Sequence, residues 1–183
     1  QRRCQCDVRG RRDHPVRLPH AQPLRAPPAD RVSCGAIWDE CEALIGSGDL
    51  FELLRHLRLI KRRKNSGKPV ESELAKAFAL DKGGGPFIEK RLRPAAKLVA
   101  MLRDGEIGNH FKSGIATSID RTSWIDDQVW VPAALHWLEV RGGGDETELF
   151  FKRLERIVWL MRLAGYDDAK QQPRIITLLS EID

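Results

Sequence analysis

The chain is 183 residues long, 42% hydrophobic and 7% aromatic, with 31 Lys+Arg against 26 Asp+Glu. That length suits one domain, with or without a tail, and can bury a core; five Trp and six Phe exclude disorder throughout. The longest apolar runs, such as Leu98-Val99-Ala100-Met101-Leu102, reach five residues, against the roughly 20 that a membrane-spanning helix needs, so no membrane partner is expected.

A net charge of +5 and a pI near 9.2 invite a nucleic-acid partner. The surplus, however, is confined to one end. Residues 1–31 carry eight Arg, no Lys and three Asp, which accounts for all of it, and the rest of the chain is neutral. The same stretch holds five of the ten Pro and no Ile, Phe, Trp or Tyr. Such a segment cannot offset the entropy of ordering its backbone, so residues 1–35 are expected to be a disordered Arg/Pro-rich arm. One reading is a basic nucleic-acid-binding arm. The preferred one is a non-native start, since out-of-frame translation of a GC-rich gene gives Arg-, Pro- and Ala-rich text without Lys. No signal peptide is expected, for want of an apolar stretch. The opening residue is Gln1, as expected of a piece of a longer reading frame.

Cys4, Cys6, Cys34 and Cys41 have one, 27 and six residues between successive members, with His14 and His20 in the long interval. Structural zinc sites favour pairs two to four residues apart, and disulfide scaffolds favour shorter chains, so neither is expected. Cys41 reads as a small buried hydrophobe, and a reduced, cytoplasmic setting follows.

From residue 36 onward the punctuation predicts an all-α domain, an irregular multi-helix bundle. A first helix covers Ile37 to Ile45 and stops at Gly46-Ser47-Gly48. Asp49 is the expected cap of a second, with Leu50, Leu53, Leu54 and Leu57 on one face. Lys61-Arg62-Arg63-Lys64 follows, before Asn65-Ser66-Gly67. With Arg55 and Arg58, these cations are the candidate phosphate or DNA contacts; the simpler account is that they complement the negative helix end.

Pro69 is expected as the first residue of a third helix running to Leu80, with Leu74, Ala77 and Phe78 inward. Gly83-Gly84-Gly85-Pro86 lacks the spacing of a phosphate loop and reads as a break. The next helix runs from Pro86 to Arg103 with Ile88, Leu92, Ala95, Val99 and Leu102 inward, and Pro94 should bend or split it. Residues 104–121 have a weak period. A helix is then expected within Thr122–Val140, with Pro132 kinking it or starting a new one. Trp124, Trp130 and Trp137 could form a base-stacking platform, but an apolar stripe with Leu138 makes core packing the preferred reading. His136, beside Trp137, reads as a hydrogen-bonded structural residue rather than a catalyst.

After Gly142-Gly143-Gly144, Asp145 or Thr147 should cap the helix Glu148–Ala164, whose Phe150, Leu154, Ile157, Met161 and Ala164 make a packing seam, with a Glu148–Lys152 pair outside. Gly165 ends it. A short helix after Pro173 places Ile175, Ile176, Leu178, Leu179 and Ile182 at the end of the chain, so the domain is expected to continue further. Asp126-Asp127 and Asp167-Asp168 read as surface or capping acids rather than metal ligands.

Asp49-Leu50-Phe51-Glu52-Leu53-Leu54-Arg55-His56, then Gly67-Lys68-Pro69-Val70-Glu71, and later Phe150-Phe151-Lys152-Arg153-Leu154-Glu155-Arg156-Ile157-Val158-Trp159-Leu160, together resemble the helical region of the GmrSD-like restriction endonucleases. The resemblance covers residues 36–183. It implies a modification-dependent, phage-defence endonuclease in which a ParB-like nucleotide-hydrolysing domain and a C-terminal HNH nuclease domain flank this region. It implies DNA as the partner of the nuclease domain, and a nucleoside triphosphate and a divalent metal as cofactors of the parent. The family's D-G-Q-Q-R and E-H-I-x-P signatures do not occur in the 183 residues, and Asn109-His110 lacks the nuclease context. No catalytic, cofactor or metal residue is therefore assigned, and no activity is expected of this chain alone. The alternatives are a freestanding helical interaction module that self-associates or takes partner helices, or a DNA-binding helical domain using Arg55, Arg58, Lys61, Arg62, Arg63 and Lys64.

Overall fold

Among the described residues, the first helix follows a good N-cap. The computed structural model describes residues 33–64, 67–103, 113–125 and 128–183; every regular element is helical, with no strand among the described residues. The class is all-α. The basic arm with Cys4, Cys6, His14 and His20 lies outside the described residues, as do Asn65-Ser66, Asn109-His110 and Asp126-Asp127.

The Ser33 hydroxyl accepts from the Ala36 N–H at 3.2 Å, so α1 (Cys34–Ile45) starts ahead of the expected Ile37. Its Ile37, Cys41 and Ile45 are buried four residues apart, one stripe of a 3.6-residue period. Gly46, at φ 84, closes α1 through its N–H to Glu42 and serves as N-cap of α2 (Ser47–Arg62). Asp49, the expected cap, instead sits within the first turn and pairs with Arg103. Leu50, Leu53 and Leu57 face the core with Leu54 half-buried. Arg63, left-handed at φ 51, ends α2 by donating its N–H to the Leu59 carbonyl.

Pro69 caps α3 (Val70–Ala77) rather than opening it, and the helix stops short of Leu80 because Ala79 turns left-handed at φ 51 before a 3-10 turn, Leu80–Lys82. Helix α4 (85–103) is one continuous run with a π-helical insert, Ile88–Leu92, between α-helical Gly85–Phe87 and Arg93–Arg103. There the Arg93 N–H reaches back five residues to Ile88. The slip comes just before Pro94, which has no N–H to give, so the helix shifts its hydrogen-bond register instead of splitting.

The helix expected within Thr122–Val140 is present from Val131 onward, and a further one precedes it. Helix α5 (Ser113–Ser123) occupies much of the weakly periodic stretch, and α6 (Val131–Arg141) carries Pro132 in its first turn, so Pro132 starts a helix. Helix α7 (Asp145–Leu163) begins after Gly144; neither Asp145 nor Thr147 caps it through a side chain. The Thr147 hydroxyl instead donates to Gly142 O at 2.8 Å and accepts from Trp137 Nε1 at 3.1 Å. Phe150, Leu154 and Met161 are buried along the expected seam with Ile157 half-buried, while Ala164 lies exposed beyond the helix end. Helix α8 (Asp168–Ile182) starts before Pro173 and contains it; Asp167 caps it, accepting from Lys170 N at 3.1 Å.

The layout follows from α6. Val131 to His136 and Leu138 are all buried, while Glu139, Val140 and Arg141 are exposed, so over its first two turns this helix has no solvent face and must be covered on every side. Helices α2, α4, α7 and α8 do so. Trp137 stacks on Phe150 of α7 with centroids 4.2 Å apart and planes 8° from parallel, and Trp130 is buried, as the core reading expects. Around this centre α1 packs on α4 and α2, α3 on α2, and α5 on α7. Glu40 of α1 takes Arg93 at 2.7 Å and Lys97 at 3.6 Å from α4, and Arg91 of α4 pairs with Glu139 of α6. Among the described residues no helix is long and apolar enough to cross a membrane.

Candidate functional site

The cationic end of α2 is the feature that the sequence singles out, and its six side chains have divided fates. Arg55 is exposed and donates to Glu52 one turn earlier at 2.9 Å. Arg58 is buried and lies 3.4 Å from Glu73 of α3, which also takes Arg62 at 3.9 Å. Arg63 donates to Asp183 at 2.9 Å. Lys61 and Lys64 are exposed, with no ion pair among the described residues. Lys61 and Arg62 lie in the last helical turn, where their charge offsets the exposed carbonyls. Four of the six candidate DNA contacts are thus already bound to carboxylates of the same chain.

Arg63 belongs to a second, inner cluster. His136 on the buried helix α6 places its Nε2 2.6 Å from Arg63 Nη2 and 2.7 Å from Asp183 Oδ1. That nitrogen either accepts from the guanidinium or donates to the carboxylate. The hydrogen bond from His136, together with the charge of Arg63, holds the Asp183 carboxyl below its ordinary range. His136 is therefore a hydrogen-bonded structural residue tying α6 to α2 and to the end of α8.

One residue that sequence reasoning passed over is His56. It falls on the inward face of α2, three residues after Leu53, and is buried with no hydrogen bond or ion pair among the described residues. Burial first, then the charges of Arg55 and Arg103, pushes its imidazole down to about 4. At pH 7 it is neutral, so no imidazolium is held there for acid catalysis. His56 borders two clefts. One, of about 350 Å³, is lined by Asp49, Leu53, Val99, Arg103 and Trp130; the other, of about 340 Å³, by Arg55, Arg58, Pro132, Asp168 and Gln172. Of the carboxylates lining these clefts, Asp49 and Glu52 are held by Arg103 and Arg55. The clefts can receive a small polar molecule, but they offer no nucleophile with an activated base. The local signal for His56 is a polar residue at a leucine position of the inward stripe.

Cys41 is fully buried and its thiol is pushed up by that burial, whereas Cys34 is exposed; both are free. Among the described residues no three His, Cys, Asp or Glu side chains are grouped to hold a metal ion. No family model, no curated protein and no solved structure matches this chain.

Proposed function

We propose that this helical body is the non-catalytic scaffold of a GmrSD-like, modification-dependent restriction endonuclease, joining a nucleotide-hydrolysing domain to a DNA-cleaving one. The observation that carries the proposal is where the two longest of the three stretches of resemblance fall. Residues 49–56 lie on α2 and residues 150–160 on α7, and both helices pack on α6, whose first two turns are buried. A close-packed centre of this kind resists deformation and so transmits displacement between its faces. The ion pairs that consume Arg58, Arg62 and Arg63 fasten helices to one another, a task suited to a rigid connector. Nucleotide and metal chemistry would then belong to the flanking domains, and DNA to the nuclease.

Two measurements test this. The DNA around the coding segment, read in every frame, is expected to encode D-G-Q-Q-R upstream and E-H-I-x-P downstream; finding neither removes the basis of the proposal. The purified chain is expected to leave GTP and plasmid DNA intact, and turnover of either would overturn the scaffold role.

A freestanding interaction module is the second reading, favoured by Leu149, Leu160 and Leu163 standing exposed on α7. Sedimentation of the chain over a range of concentrations separates the two: concentration-dependent self-association supports the module, and a strict monomer counts against it.

A further inference from the structure

Helices α5 and α7 lie side by side and run in the same direction. A Cβ placed on Gly114 would stand 2.8 Å from Glu148 Cδ, and Arg121 lies 3.7 Å from Glu155, so both pairings keep the same offset along the chain. Between them runs an open groove of about 560 Å³ whose lining includes Thr117, Arg121, Lys152, Glu155, Arg156 and Trp159. Three cations thus meet two carboxylates, and Arg121 is paired with Glu155. Lys152 is held by Glu148 at 2.7 Å, but Arg156 has no ion pair among the described residues.

The groove ends in aromatic surface. The Trp124 N–H bonds to Asp120 O at 3.2 Å, continuing the α5 turn past Ser123. The shared offset therefore brings Trp124 level with Val158 and Trp159. Trp124 is 84% exposed and Trp159 44% exposed. Trp159 lines the groove and Trp124 stands exposed about one turn beyond Arg121, so flat apolar faces lie beside Arg156 and suit a partner with flat apolar faces and negative charge.

We infer that the α5–α7 groove binds single-stranded nucleic acid, with phosphates on Arg121, Lys152 and Arg156 and unpaired bases stacked on Trp159 and Trp124. A duplex has suitable phosphates but hides its base faces within the stack, whereas a single strand presents both. From Gly114 to Trp124 the groove spans about 15 Å at the helical rise, enough for a short stretch of unpaired nucleotides. This site is separate from the cationic end of α2 and does not depend on the scaffold proposal.

The test is fluorescence anisotropy of labelled (dT)20 and (U)20 with the full chain at 50 and 200 mM salt. Binding is expected to weaken steeply with salt, to quench tryptophan emission, and to exceed that of a duplex of equal length. Trp159→Ala is expected to weaken binding about tenfold, Trp159→Phe to retain most of it, and Arg121→Ala with Arg156→Ala to flatten the salt dependence. The substituted side chains are exposed, so unchanged thermal unfolding is expected and is checked for each variant. Wild-type affinity in the Trp159→Ala and arginine variants would assign binding to the N-terminal arm and overturn the site. So would equal competition by polyglutamate, which would mark a surface for acidic peptides, or the absence of any binding by the unaltered chain.

Discussion

Arg58 of α2 and Glu73 of α3 meet at 3.4 Å with their side chains only 10% and 5% exposed. Neither partner can be removed without leaving the other charge in a medium that solvates it poorly. Glu73→Ala strands both Arg58 and Arg62 and is expected to lower unfolding free energy by about 3 kcal/mol. The double variant Arg58→Met, Glu73→Leu replaces the pair with apolar volume and should recover most of that loss. Urea denaturation of the two variants beside the parent measures both, and equal destabilisation by both would show that the pair does more than satisfy itself.

His56 gives the fold an acid-side weakness. Its imidazole titrates at about 4 in the folded chain and at the ordinary 6.5 in the unfolded one, so the unfolded chain binds the proton more readily. Its neutral form is favoured at pH 7. Stability is full above pH 6.5, falls as the pH drops toward 4, and changes no further below that through this group. The loss amounts to about 3 kcal/mol. His56→Gln is expected to flatten this slope between pH 6.5 and 4, measured as the urea midpoint at each pH. An unchanged slope would assign the effect elsewhere.

Asp183 has the opposite sign. Its depressed carboxyl contributes stability above the ordinary value of 3.8 and loses it as the pH falls through the lower folded value. Asp183→Asn is therefore expected to destabilise at pH 7 and to match the parent once both are acidified below that range. The same variant should shift the His136 ring-nitrogen resonances, because Nε2 loses its carboxylate partner. Unmoved resonances would mean that Arg63 is the nitrogen's real partner.

The interior position of α6 makes its small residues as important as its large ones. Ala133 and Ala134 are wholly buried where other helices close in. Ala134→Leu is expected to cost about 1–3 kcal/mol through overpacking, read from the unfolding midpoint. A neutral result would mean that α6 has room its neighbours do not use.

The apolar spacing of α1, α2, α4 and α7 is enough to place their inward faces, because a 3.6-residue period sorts side chains with no outside help. Helix α5 escapes the same method. It buries Ser118 and Thr122 alongside Ile115 and Ile119, and the Thr122 hydroxyl returns to the Ser118 carbonyl at 2.6 Å. A face satisfied by its own backbone looks polar in one dimension. Asp49 and Thr147 look like caps for a similar reason and are not, since each side chain finds a tertiary partner instead.

Composition and periodicity alone determine an all-α domain from residue 36 onward, a basic excess confined to residues 1–31 and a core position for Trp130. Those properties are carried by neighbours within a turn or two. Which cations are occupied and which Trp is bare depends on packing. Arg58 finds its carboxylate on another helix, Arg63 finds one 120 residues away, and Trp124 is left in water beyond the end of α5. Electrostatic and dispersion forces act across space rather than along the backbone, so no local pattern reports them.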